Sequence, residues 1–286
     1  MTKRLAKRKR RVRNRGLLDY PLRKVLSHGV IGAGIPSNPL RSRVRLECGH
    51  VLILDRILPP RKRMRCDECP KGPGRPVGLA ERWFGLAGGR TAATRAVWSI
   101  IERLYDRAGH HTLRHVGECL DLLHALRPGG THPSVEYSLW LHDVSHDPLD
   151  PACVARSAET ADILLRGIWM PAETVDRTRR LIMATAEEPP FAFRDDDKED
   201  ALLVRDVDRA ILGAGRDRYD EYAQLLREEY PNASDKEFAG GRSEFLRSLL
   251  DNGGWGGPIF QTPTLRQKLE SRAKSNIRRE LRRLEE

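Results

Sequence analysis

Val135-Glu-Tyr-Ser-Leu-Trp-Leu-His142-Asp143-Val144 is the stretch whose reading decides the fold. Val135, Leu139 and Val144 recur at a helical period, and Pro148 ends the segment. The pair His142-Asp143 sets two polar side chains on an otherwise apolar helix, which packing alone does not explain. Imidazole and carboxylate are the groups that hold a divalent metal while leaving positions open for water or substrate.

Two further stretches complete the pattern. His111 and His115 are four residues apart, so they share a helix face and can address one centre. Asp206-Val207-Asp208 follows 63 residues after Asp143. Taken singly, His115 reads as a core histidine and Asp206 and Asp208 as a helix-terminal charge pair. Taken together with His142 and Asp143 they read as a metal site. His124, His132 and His146 read as structural, and Arg114 and Lys198 as candidate contacts for a substrate phosphate.

Outward from this centre the periodicity stays helical. Val97, Ile100, Ile101 and Leu104 fall at i, i+3, i+4 and i+7, and Val116, Leu120 and Leu123 continue the pattern on the next helix. Further helices are predicted over 153–166, 172–186, 200–213, 217–229, 235–250 and 265–284. Nothing from Leu79 onward alternates at period two for long and no internal repeat is present, so the large domain is expected to be all-helical.

Toward the N-terminus the character changes. Residues 1–78 hold 21 Lys and Arg against 5 Asp and Glu, and the rest of the chain holds 30 against 35. Such asymmetry implies a basic part suited to polyanions and a mildly acidic globular part. The first 15 residues carry nine Lys or Arg and no acid and are expected to form a disordered arm attracted to phosphate. Residues 16–40, with Gly32, Gly34, Pro36 and Pro39, read as a loose connector. Arg8, Lys9, Arg10, Arg11, Arg61, Lys62 and Arg63 are the candidate nucleic-acid contacts.

Cys48-Gly-His50 and Cys66-x2-Cys69 are separated by 15 residues and supply four ligands at the spacing of a tetrahedral structural zinc site. A module of this size has too small a core to fold unaided, so metal is expected to supply much of its stability. Five cysteines, three of them clustered, favour metal binding over disulfides and hence a reducing, cytoplasmic setting. No run of about 18 apolar residues exists, so no membrane span is expected. The expected organisation is a basic arm and connector over 1–40, a zinc ribbon over 41–72, a linker over 73–78 and a helical domain over 79–286.

The helical part resembles the HD superfamily, in particular its metal-dependent phosphohydrolases. The residues that carry this are Ala80-Glu-Arg-Trp83, Gly109-His-His111-Thr-Leu-Arg-His115-Val, the His142-Asp143 helix, Ser157-Ala158, Leu181-Ile-Met-Ala-Thr185, Asp206-Val-Asp208-Arg-Ala-Ile-Leu-Gly213, and later Tyr222, Glu229-Tyr230 and Gly241-Arg242. The resemblance implies an all-helical bundle in which His115, His142, Asp143 and Asp208 hold a divalent ion. Asp208 is preferred to Asp206 because the family's Asp-x-Ala-Ile-Leu frame starts there, with Asp206 left to orient a ligand or to bind instead. His111 matches the position from which cyclic-nucleotide phosphodiesterases protonate the leaving group, and imidazole suits that task. Asp143 is the further catalytic candidate, taking a proton from water. Mn, Fe, Co, Ni, Mg and Zn all suit the donor set.

Two departures count against a second metal. Cys153-Val154 stands where the family usually shows Asn-Glu, and Ala186-Glu187-Glu188-Pro189 stands where many relatives carry a histidine, with Glu187 as the replacement candidate. Residues 43–72 resemble the short zinc ribbons of actinobacterial phage proteins. The expected function is metal-dependent hydrolysis of a phosphate ester, a nucleotide among the candidates, with the ribbon and arm meeting nucleic acid or a partner. The alternative is a nonenzymatic nucleic-acid-binding protein whose HD domain is a degenerate scaffold.

Overall fold

A computed structural model describes residues 78–186, 194–253 and 256–286 in full, together with the backbone of four strands nearer the N-terminus. The chain divides into two compact units, Met1–Gly85 and Leu86–Glu286.

In the first unit β1 (Leu22–Ile31), β2 (Arg41–Leu46), β3 (Val51–Leu54) and β4 (Arg63–Arg65) form an antiparallel sheet of order β3-β2-β1-β4. β1 lies inside the stretch read from sequence as a connector. Leu22, Val25, Leu26, Val30 and Ile31 are good strand formers, and the glycines and prolines that suggested a loose segment fall only after them. A bulge between Val25 and Ser27 interrupts the β1–β2 register. Cys48, His50, Cys66, Cys69, Arg8, Lys9, Arg10, Arg11, Arg61 and Lys62 lie outside the described residues, and Arg63 is described only as backbone of β4.

Helix α1 (Leu79–Leu86) spans the division between the units. The second unit contains α2 (Ala92–Leu104), α3 (Leu113–Leu126), α4 (Pro133–Leu141), α5 (Cys153–Gly167), α6 (Ala172–Met183), α7 (Lys198–Asp208), a 3-10 turn (Arg209–Gly213), α8 (Arg216–Glu228), α9 (Asp235–Asn252) and α10 (Pro263–Leu284). The all-helical expectation holds for this unit. Among the described residues no helix is long and apolar enough to cross a membrane.

The quoted stretch becomes α4, and its position explains its composition. The His132 side chain accepts a hydrogen bond from Ser134 N at 3.2 Å and Pro133 opens the helix, so the start is well defined. Seven of its nine residues are buried, because α3, α5, α6 and α7 all pack on it. A helix surrounded in this way has little polar face to show: Ser134 and Ser138 donate to backbone carbonyls, and Glu136 pairs with His124.

Other helices bury one stripe. On α2 a Thr91–Thr94 capping box sets the start, and Val97 and Ile101 face the core while Ile100 stays 41% exposed. At the C-terminal end a buried polar cluster ties α8, α9 and α10. Arg242 Nε donates to Glu280 Oε1 at 2.9 Å, and Tyr219 Oη donates to Glu280 Oε2. Gly253 ends α9 at φ +60, where a Cβ would lie 2.3 Å from Pro258 O; its own carbonyl accepts from Arg205 and Arg209.

Candidate metal centre

Three segments place four ligating groups. Thr112 caps α3 by accepting from Arg114 N, which starts the helix so that His115 sits in its first turn, pointing inward. His142 caps the C-terminus of α4, with Asp143 next to it, and Asp208 is the last residue of α7. His115 Nε2 lies 3.2 Å from His142 Nε2 and 3.0 Å from Asp208 Oδ1. His142 Nε2 lies 2.9 Å from Asp143 Oδ2 and 3.3 Å from Asp208 Oδ1. All four ligand atoms fall within 4.8 Å of one another. The imidazoles are 3% and 1% exposed against 13% and 21% for the aspartates, so the centre opens on the carboxylate side.

The residues present fit a cation. His142 Nδ1 is 3.1 Å from Leu139 O; a carbonyl only accepts, so Nδ1 carries a proton and Nε2, facing the two carboxylates, is the nitrogen on which an ion would take a proton's place. Asp143 Oδ2 is buried and makes no hydrogen bond of good geometry among the described residues. Burial alone would raise the Asp143 carboxyl, but His142, His111 and His115 hold it well below the usual carboxylate range. Burial likewise opposes ionisation of Asp208, and hydrogen bonds from His115 and His142 reverse it. Burial pulls the His142 imidazole down, yet Asp143 and Asp208 together push it well up. Two buried carboxylates thus demand positive charge at this point, which a divalent ion supplies.

The turn that carries His142 and Asp143 is held through its backbone. Arg107 donates to Asp143 O at 2.7 Å and to His146 O at 2.9 Å, and Tyr105 Oη donates to Trp140 O at 3.0 Å. From α5, Ser157 Oγ accepts from Ser145 N at 3.1 Å, which gives the Ser157-Ala158 pair a physical role.

Asp206 is a correction to the sequence reading. Its carboxylate accepts from Gln261 N at 2.9 Å, Thr262 N at 2.6 Å and Thr262 Oγ1 at 2.7 Å, and so caps the entry to α10. Side chains two apart on a helix do not share a face, so Asp206 and Asp208 serve different neighbours. Asp206→Ala is expected to lower stability by about 2 kcal/mol through the lost cap while leaving metal content unchanged. Asp208→Ala is expected to do the reverse. Thermal melts alongside metal analysis of the two variants check the assignment, and loss of the ion from the Asp206 variant would reject it.

His111 joins a second cluster with His146 and Glu229. His111 Nδ1 lies 2.8 Å from Glu229 Oε2, and His146 Nε2 lies 3.2 Å from the same oxygen. The two rings stack with centroids 3.8 Å apart. Burial lowers the His146 imidazole, but hydrogen bonding to Cys153 and Glu229 carries it up to about 9. His146, read from sequence as structural, thus stands in a second group of candidate ligands. Glu229 is the residue that sequence reasoning missed: it appeared in the HD resemblance without a role, and 118 residues separate it from His111, so no local spacing links them. His124 pairs with Glu136, and His132 caps α4, so both are structural as read.

Neither proposed phosphate contact is placed for that task. Arg114 forks onto both oxygens of Glu221, at 2.5 and 2.8 Å. Lys198 opens α7, whose far end carries Asp208, about 15 Å of helix away. Glu187 lies outside the described residues.

No family model matches the chain, and no curated protein matches it. Among solved structures, Bacillus subtilis YpgQ in complex with ADP is similar at 21% sequence identity and a TM-score of 0.42, covering 66% of this chain and 96% of that one.

Proposed function

We propose that the chain hydrolyses a phosphate ester at an HD-type metal centre, with a nucleotide among the candidate substrates. The observation that carries this reading is the convergence of His115, His142, Asp143 and Asp208 from three separate segments onto one point. These four residues would hold a divalent ion, which would supply acidification of water and Lewis-acid polarisation of a phosphoryl oxygen. Asp143 takes the proton from the attacking water. His111 returns a proton to the departing alkoxide as the phosphorus–oxygen bond breaks. Its Nδ1 is committed to Glu229, so the exchangeable proton is on Nε2.

Metal-stripped protein supplied with Mn, Fe, Co, Ni, Mg or Zn and offered nucleotides and phosphate esters is expected to release phosphate or a phosphorylated product. His111→Ala is expected to slow alkyl phosphates by about 10²–10⁴-fold. It should slow p-nitrophenyl phosphate little, because nitrophenolate leaves without a proton. Equal losses on both substrates would remove His111 from the donor role. No turnover with any substrate and metal would remove the hydrolase reading.

The ribbon reading draws support from strand register. β2 ends at Leu46, near its partner Val25, and β4 ends at Arg65 opposite Leu22, so both strands finish at the same end of β1. Cys48 and Cys66 follow those two ends within two residues. We assign structural zinc to Cys48, His50, Cys66 and Cys69, and nucleic-acid contact to the basic residues around it. The excess of positive charge in residues 1–78 favours the alternative function as well. Salt-sensitive retention of DNA or RNA that is lost on deleting 1–78, without any hydrolysis, would select a nonenzymatic nucleic-acid-binding protein.

A further inference from the structure

We propose that His111, His146 and Glu229 form a second divalent-cation site beside the first, a site that goes beyond the hydrolase reading and does not depend on it. The sequence counts against a two-metal centre, because Cys153-Val154 and Glu187 replace the groups usual in the resembled family. The fold brings a different donor set together.

The geometry is built rather than incidental. Glu229 Oε1 accepts from the backbone N–H of His110 at 2.6 Å and of His111 at 2.9 Å, which fixes the carboxylate whatever else binds. Its approach depends on Gly109, whose φ is +99 and where a Cβ would lie 2.2 Å from Glu229 Cγ. With Oε1 so occupied, Oε2 faces His111 Nδ1 and His146 Nε2 at 2.8 and 3.2 Å. The rings are inclined by only 29°, so the stack aims two nitrogens at one place.

Two imidazoles and a carboxylate are the three-ligand set with which zinc and its neighbours keep open coordination positions. Exposure grades from 4% at Glu229 through 13% at His146 to 21% at His111, so an ion has an entry side. Glu229 is held ionised, well below the usual carboxylate range: burial opposes this, but His111 and His146 outweigh it.

The two clusters also share their supports. One segment supplies His111 to the second and His115 to the first, with ring centroids 5.9 Å apart. Another supplies Asp143 to the first and His146 to the second. His111 lies just before α3 and His115 in its first turn, while Asp143 and His146 both follow the end of α4, so each segment reaches both sites. Coordination through Nδ1 takes the place of the Nδ1 proton, so an ion at this site and proton delivery by a His111 imidazolium are alternative states of the same ring.

Full-length, metal-stripped protein titrated with Co²⁺, with bound metal counted after equilibrium dialysis, tests this. His146→Ala is expected to bind one ion per chain fewer than the wild type, His142→Ala one fewer, and the double variant two fewer. Unchanged binding by a folded His146→Ala protein overturns the second site. Unchanged binding by His142→Ala overturns the first site instead, so the two failures are distinct. If His146→Ala does not fold, the wild-type titration decides. Saturation by no more ions than His142→Ala and Cys66→Ala together remove overturns the proposal, and one ion beyond that number supports it.

Discussion

Asp143→Ala is expected to stop the proposed metal-dependent hydrolysis. The rate is expected to fall by about 10²–10³-fold, the order lost when one preorganised electrostatic contributor is removed from a site. The variant binds one ion fewer, because a centre with one remaining aspartate carries half the negative charge that holds a divalent cation. It nevertheless stays folded. The turn bearing Asp143 is held by Arg107 on two carbonyls, by Tyr105 on Trp140 O and by Ser157 on Ser145 N, and none of these bonds uses the Asp143 side chain. Steady-state rates, metal analysis and circular dichroism on the same preparation check all three parts. An Asp143→Ala protein that keeps its rate and its ion removes Asp143 from the centre.

Glu280→Ala has the largest effect on stability. Arg242 is 7% exposed, and its guanidinium donates to Glu280 at 2.9 and 3.3 Å while lying 5.3 Å from the Tyr222 and Phe245 rings. Removing Glu280 leaves that charge buried and also strips Tyr219 of its acceptor. Breaking one partner of such a pair costs about 3–5 kcal/mol, which for a domain of this size is a fall in Tm of about 6–20 °C. Thermal unfolding of the wild type and variant measures it, and a fall of under 2 °C would mean the cluster is dispensable. The consequence reaches the site, because the Tyr222 ring packs 4.7 Å from His110, next to His111. Metal affinity at the His111 cluster is therefore the second quantity to follow in this variant.

Much of the helical architecture was legible. The 3.6-residue period placed α5, α8, α9 and α10 within two residues at each end, since each turns one periodic face inward, even where Arg242, Asn276 and Glu280 interrupt its apolar residues. Three features escaped. The turn from α7 into a 3-10 helix at Arg209 leaves no mark in composition, because it follows from Gly213 meeting Leu269 and from Asn276 bonding Leu212 O and Ala214 O. β1 was obscured by the glycines that follow it. Ile100 fits the apolar stripe of α2 yet faces outward, because periodicity marks the side of a helix without saying how wide its neighbour is.

The same division runs through the site. His115, His142, Asp143 and Asp208 were available from the linear chain because metal-binding residue types in short-range pairs are rare enough to be noticed, and each of the three segments carries a pair. Asp206 against Asp208 could not be separated by spacing, since only the start of α10 decides which carboxylate is taken for capping. The place of Glu229 and His146 beside His111 came from packing alone: a carboxylate 118 residues from His111 becomes its neighbour when α8 ends against the start of α3. By itself the sequence determined the helical class and picked out His115, His142, Asp143 and Asp208 as candidate ligands, because these rest on local period and residue type. Tertiary structure alone decided which groups stand beside that centre, because contacts between distant segments depend on how whole helices pack and no spacing encodes them.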